Sequence, residues 1–239
     1  MQSVMLDAME VLDILRLIGP IDLAALGFLI VAFVGIGWLI ESPRVSRISV
    51  TRLMSEYHRE WMRQLTKRNN RIMDAQVLVS LRQGSSFFAS TALLALGALL
   101  ALIGNPQPLA GVAEGLVNVA APAQMLQAKL LVVALFLANA FLKFVWANRV
   151  FGYASVVMAA VPDDPADPGS TPRAAQTAEL NIRGMYNFNR GLRSMYFALA
   201  ALGWLLGAQA LAIATLIVLW LLWSREFISG PHEILKGGK

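Results

Sequence analysis

IDLAALGFLIVAFVGIGWLI, residues 21–40, decides the fold: after Asp22 it carries no charge until Glu41 closes it. A helix needs about 20 mostly apolar residues to cross a ~30 Å hydrocarbon core. Three further stretches meet that length: residues 87–103, residues 130–147 with Lys143 near the end, and residues 196–223, uncharged throughout. Lipid offers the backbone no hydrogen-bond partner, so a spanning segment is a helix or a barrel strand. None of the four stretches shows the apolar–polar alternation of barrel strands. The expected fold class is an all-α integral membrane protein, a bundle of four transmembrane helices.

Composition points the same way. Of 239 residues, 57 % are hydrophobic and 15 % charged, against about 45–50 % and about 25 % in soluble domains. The mean hydropathy is +0.59. A disordered chain and an ordinary soluble domain are excluded. With no cysteine, disulfides, thiolate metal sites and cysteine nucleophiles are excluded too, and the redox compartment stays undetermined.

Orientation follows from Lys and Arg in the connections. Residues 41–86 hold nine and residues 148–195 hold five of the twenty in the chain. Both connections are therefore expected in the cytoplasm of a bacterial inner membrane, with both termini periplasmic. Residues 1–19 lack the basic start of a signal peptide. Val4, Ala8, Val11, Leu15 and Ile18 recur at helical spacing among Asp7, Glu10 and Asp13, which reads as an amphipathic helix on the outer surface. The remaining expectations are a cytoplasmic helix over 45–84, single or jointed near Asn69-Asn70, and an outer loop over 104–127. A cytoplasmic loop and helix over 149–193 and an outer tail over 224–239 complete the layout. The basic inner face implies a bilayer with anionic lipid. Glu56, Glu60 and Asp74 dilute the basic residues and no recognition motif accompanies them, so nucleic acid is not an expected partner.

Polar groups inside a bilayer are costly and so are functional candidates. Asn139 lies near the middle of the third stretch and Gln209 near the middle of the fourth. Each either hydrogen-bonds across helices, worth about 0.6 kcal/mol on average, or lines a pore. Lys143, one turn below Asn139, either snorkels to the inner interface beside Trp146 or joins Arg149 in a basic ring around an oligomer axis. At the inner mouth Arg71, Asp74, Arg82, Arg149, Asn189, Arg190 and Arg193 are expected to gather. Arg71 and Asp74 can pair at i,i+3; Asn189, Arg82 and Arg193 can cap carbonyls or pair with Asp74. A cytoplasmic ligand site and partner docking are the other readings of that cluster. Gly203 and Gly207 form a GxxxG, a signal for close helix packing.

Catalytic signals are weak. The two histidines are His58 and His232; Glu56 and Glu60 point about 200° away from His58 on a helix, and His58 reads as a solvated residue. HExxH, GxSxG and P-loop motifs are absent from the chain. No enzyme activity, metal or cofactor is expected.

Four words in order carry a family likeness: NRIMDAQVLVSLRQGSSFFAST (70–91), KFVWANRVFGY (143–153), FNRGLRSMYFALA (188–200) and SREF (224–227). They resemble the bacterial branch of the family called domain of unknown function 599, over roughly residues 22–229. The resemblance implies a multi-span helical membrane protein and brings no reaction, substrate or cofactor. Gly152 departs from the Asn expected there in many relatives, so the resemblance lends that position no role. Two functions remain open. One is a non-enzymatic accessory or interaction subunit of a larger membrane assembly. The other is a homo-oligomeric ion or small-anion channel with Asn139, Lys143 and Gln209 on its path.

Overall fold

The computed structural model describes residues 19–105 and 123–237. The expected outer helix up to residue 18, most of the outer loop 104–127 and the last two residues lie outside them. The elements are α1 (Pro20–Glu41), α2 (Val50–Leu65), α3 (Ile72–Gly104), α4 (Ala123–Ala159), α5 (Ser170–Leu202), α6 (Ala208–Phe227) and α7 (Gly230–Gly237), with a 3-10 turn at Gly203–Leu206. The fold is all-α, and α1, α3, α4 and the stretch containing α6 are long and apolar enough to cross a membrane.

The edge of the apolar stretches does not interrupt the helices. At about 1.5 Å per residue, α3 with 33 residues and α4 with 37 run roughly 50 and 55 Å, through the bundle and beyond it on the side that carries α2. The expected helix 45–84 is therefore two: α2, then a joint at residues 66–71, then α3, which continues unbroken into its span. Nothing at residues 84–86 stops α3, because Ser85 Oγ donates to the Leu81 carbonyl within the helix (2.9 Å) and no neighbour crowds Gly84.

The fourth expected span, 196–223, is corrected. Residues 203–206 tighten into the 3-10 turn and Gly207 sits at φ 118°, ψ 170°, a region that only glycine occupies without strain. The chain reverses there. A Cβ on Gly203 would lie 3.1 Å from the Ala210 carbonyl oxygen and 3.2 Å from Ala214 Cβ, whereas an unbroken helix would carry Ala214 about 16 Å along its axis. Farther down this hairpin Arg225 donates to the Tyr196 hydroxyl. The end of α5 therefore lies antiparallel to α6 and runs beside α1 from Glu41 back to Asp22, and of the two it is α6 that is long and apolar enough to cross a membrane by itself.

A second correction follows. Glu226, at the far end of α6, accepts hydrogen bonds from Thr51 N (3.0 Å) and Oγ1 (2.9 Å), and His232 Nε2 lies 2.9 Å from the Ile48 carbonyl oxygen. Residues 224–237 thus sit beside α2, on the face opposite Gly19, and are not a tail on the outer face. A reversal inside an uncharged stretch leaves no mark on a Lys/Arg count, which is why counting missed it.

The core has three parts. In the bundle, Ala25, Leu29, Ala32, Ile36 and Ile40 form one stripe of α1 against Phe136, Phe197, Trp204 and Leu211. Next to it, Phe88, Phe144 and Phe188 stack around Ala89, Ala92 and Ala140. Beyond the bundle, Met62, Leu65, Leu78, Ala154, Met158 and Ala178 join α2, α3, α4 and α5. The tightest seam is α4 on α5. Ser170, Thr177, Gly184, Gly191 and Ala198 recur every seventh residue of α5 and are all buried. A seven-residue repeat of small side chains lets two helices approach and supercoil. Phe151 and Phe144, also seven apart, fill the space over Gly184 and Gly191.

Candidate functional site

The ion-paired centre lies where α1 ends. Arg190 reaches across from α5 and donates to both oxygens of Glu41, with Nε 3.1 Å from each and a terminal nitrogen at 2.5 Å. Arg193, one turn on, donates to Glu41 Oε1 at 2.7 Å. Its side chain is 8 % exposed against 43 % for Arg190. It fits there because α1 has Gly37 at the crossing: a Cβ at that position would stand 3.3 Å from the guanidinium. A buried guanidinium without a carboxylate is costly, so Glu41 is what allows Arg193 to sit inside the helix bundle.

These groups form one wall of a cavity of about 630 Å³, whose lining also includes Arg44, Asn139 and Lys143. Asn139 Nδ2 donates to Ser194 Oγ (2.6 Å), bridging α4 and α5. The side chains of Lys143 and Arg44 make no hydrogen bond or ion pair among the described residues. Four cations therefore face one carboxylate. The cavity also runs up α1 past Phe33, Val34 and Trp38; Val34 and Trp38 are 62 % and 57 % exposed on the apolar flank of the bundle. The site is amphipathic, with an apolar end toward lipid and a cationic end where the chain leaves the bundle.

The opposite face is pinned by Asp22, Lys129 and Trp204. Lys129 Nζ, almost fully buried, donates to the Trp204 carbonyl (3.0 Å) and lies 3.9 Å from the Asp22 carboxylate, while Trp204 Nε1 donates to that same carboxylate. One ion pair thus ties the starts of α1 and α4 to the α5–α6 turn.

The structure divides the sequence candidates. Asn139, Lys143 and Arg193 meet in the cavity. Gln209 does not: it lies two residues after Gly207, exposed at the start of α6 rather than mid-span. Gly203 and Gly207 are not a packing motif on one helix; they frame the reversal. The inner-mouth cluster does not gather at one place. Asp74 is buried and takes hydrogen bonds from Trp61 Nε1 and Arg68 (both 2.6 Å), not from Arg71. Arg71 instead donates to the carbonyls of Val161 and Pro162 (2.6 and 2.7 Å), closing the loop after α4. Arg82 lies beside Gly152, and Arg149 donates to its neighbour Tyr153. Asn189 donates to Thr51 Oγ1 (3.2 Å), the same threonine that Glu226 holds, so its partner comes from the first turn of α2. His58 is buried, not solvated, with Nδ1 unbonded, and that burial lowers its pKa.

Sequence reading missed Glu41 as a centre because it treated the acid only as the end of a span. The available signal was an acid at a span end with two arginines spaced i,i+3 on another helix at the same depth. It also missed Gly184 and Gly191, whose spacing of seven was visible.

The chain matches the family model described as "Protein of unknown function, DUF599" over residues 24–231. No curated protein and no solved structure matches it.

Proposed function

From the premise that this chain belongs to the DUF599 family, we propose that it is a non-enzymatic accessory protein of a bacterial inner membrane that holds an anionic group at the cytoplasmic face. The observation that carries this reading is the charge imbalance of the cavity, where Lys143 and Arg44 add to a Glu41 already shared by Arg190 and Arg193. Two uncommitted cations beside a saturated carboxylate attract an anion. Because Glu41 accepts from two guanidiniums at once, it serves as a fixed counter-charge rather than a base.

The sidedness rests on the positive-inside bias. Placing residues 224–237 beside α2 moves Arg225 and Lys236 to the basic face and sharpens that bias. The accessory role is supported by α3, whose Ile72 and Met73 are 75 % and 74 % exposed about 20 Å along the helix from Phe87, beyond the reach of acyl chains. A channel draws less support: Asn139 is bonded to Ser194 and Gln209 lies past the turn, so the two do not line a common path.

The test is crosslinking in native membranes together with reconstitution of the full chain in phosphatidylcholine liposomes. A crosslinked mass that includes a second protein, and anion flux equal to that of protein-free liposomes, are expected. A crosslinked mass at integer multiples of 26.0 kDa with anion flux above that background would overturn the reading in favour of the channel.

A further inference from the structure

Resting on the reading of an anion-holding site, we propose that the cavity receives the phosphate of an anionic glycerophospholipid, which enters sideways from the inner leaflet with an acyl chain along α1. The shape of the cavity carries this. A soluble anion would need only the cationic end. Here the same space continues past Phe33, Val34 and Trp38, side chains of α1 whose exposed neighbours on that flank, Ile30 and Val31, face outward. Both chemistries of a phospholipid are therefore present in one cavity and in the right order, with the apolar part toward the middle of the bundle and the cations at its edge.

The depth agrees as well. Trp38 stands on the last turn of α1, the position at which amphipathic rings mark the headgroup level, and Arg44 lies in the chain that leaves it. Arg190 and Arg193 keep Glu41 neutralised, so an arriving phosphate meets a carboxylate already covered. Lys143 on α4 and Arg44 after α1 flank the opening from two elements and have donors to spare. A phosphodiester spreads one negative charge over two non-bridging oxygens, each an acceptor suited to an ammonium or a guanidinium. Basic pockets between membrane helices on the cytoplasmic side bind anionic headgroups in this manner.

The experiment is native mass spectrometry of the full chain purified in neutral detergent, titrated separately with phosphatidylglycerol, phosphatidylcholine and inorganic phosphate. One phosphatidylglycerol is expected to be retained at about tenfold lower concentration than phosphatidylcholine. Lys143→Gln and Arg44→Gln are each expected to weaken that retention about fivefold and to leave phosphatidylcholine unchanged, while Arg149→Gln, an exposed cation elsewhere, changes neither. Among the described residues the Lys143 and Arg44 side chains hold no hydrogen-bond or ion-pair partner, so unfolding temperatures equal to wild type are expected, and each variant checks the other.

If inorganic phosphate binds with the same dependence on Lys143 and Arg44 while phosphatidylglycerol is retained no better than phosphatidylcholine, the lipid proposal fails and the anion reading stands. If neither phosphatidylglycerol nor phosphate binds preferentially, both fail. A phosphatidylglycerol preference that survives in both variants places the lipid elsewhere and overturns the proposal.

Discussion

Replacing Gly191 with alanine tests the seam on which the whole bundle is built. The added Cβ would lie 2.6 Å from Phe144 Cε1, about 0.8 Å inside the 3.4 Å at which ordinary contact begins. The ring cannot swing away easily. Phe144 is fully buried, with Phe88 stacked at 5.4 Å and Phe188 edge-on at 5.5 Å. Overpacking of this kind costs about 2–3 kcal/mol, from which the better helix propensity of alanine returns about 1. A net loss of about 1–2 kcal/mol is expected, or roughly 2–8 °C in apparent Tm.

The assay is thermal unfolding in nanodiscs, with Gly84→Ala as the control of opposite sign. No atom crowds Gly84, so there the propensity gain stands alone and stability is expected to rise. Phe144→Leu alone removes buried ring volume and is expected to cost about 1–3 kcal/mol, less than a full truncation to alanine. In combination with Gly191→Ala, the loss should fall short of the sum by about 1 kcal/mol, because the leucine vacates the space the new methyl needs. The reasoning is refuted if Gly191→Ala unfolds at or above the wild-type temperature, or if the two changes add within about 0.5 kcal/mol.

Three further outcomes are expected. Glu41→Gln leaves Arg190 and Arg193 without a counter-charge and should lower stability by an amount toward the lower end of ~3–5 kcal/mol, since Arg190 is partly exposed; Arg190→Gln should cost less than Arg193→Gln, and the reverse order in the same unfolding assay would contradict the burial argument. Gly207→Ala forces a side chain into a backbone region it cannot adopt and should cost about 1–3 kcal/mol, seen as loss of folded protein from detergent extracts, with Gly207→Asn as damaging. Burial keeps His58 neutral in the folded state by lowering its pKa, whereas the unfolded chain takes up a proton below about pH 6.5. The unfolded state then binds more protons, so stability should fall as pH drops from 7.5 to 5.5. His58→Gln should flatten that slope, and an unchanged slope would show that other groups set it.

How much was legible depended on the range of each signal. The all-α class and the four apolar stretches are local properties, each complete within about 20 residues, and α1 emerged as expected. The joint between α2 and α3 was legible too, because Asn69-Asn70 interrupts the helical pattern. The site was legible only in fragments. Asn139, Lys143 and Arg193 stood out as polar groups in apolar surroundings, yet nothing in their spacing joins them to Glu41, which is about 150 positions from Arg193. Arg71 and Asp74 show the opposite error. Their i,i+3 spacing predicted a pair, but the carbonyls of Val161 and Pro162, some 90 positions away, compete for Arg71, and Arg68 and Trp61 take Asp74.

The sequence by itself determined that this chain is helical and lies in a membrane, because apolar length and the need to satisfy every backbone group within a segment leave no other solution. It also determined which face of the protein is basic. Only the tertiary structure decided that residues 196–223 fold back at Gly207 rather than cross once, since a left-handed glycine leaves no trace in hydropathy. The same is true of residues 224–237 lying against α2. It likewise decided that Glu41, Lys143, Arg190 and Arg193 share one cavity. Charges buried in an apolar bundle must find partners, and which partners meet is set by how α1, α4 and α5 cross, a fact of packing that no single helix contains.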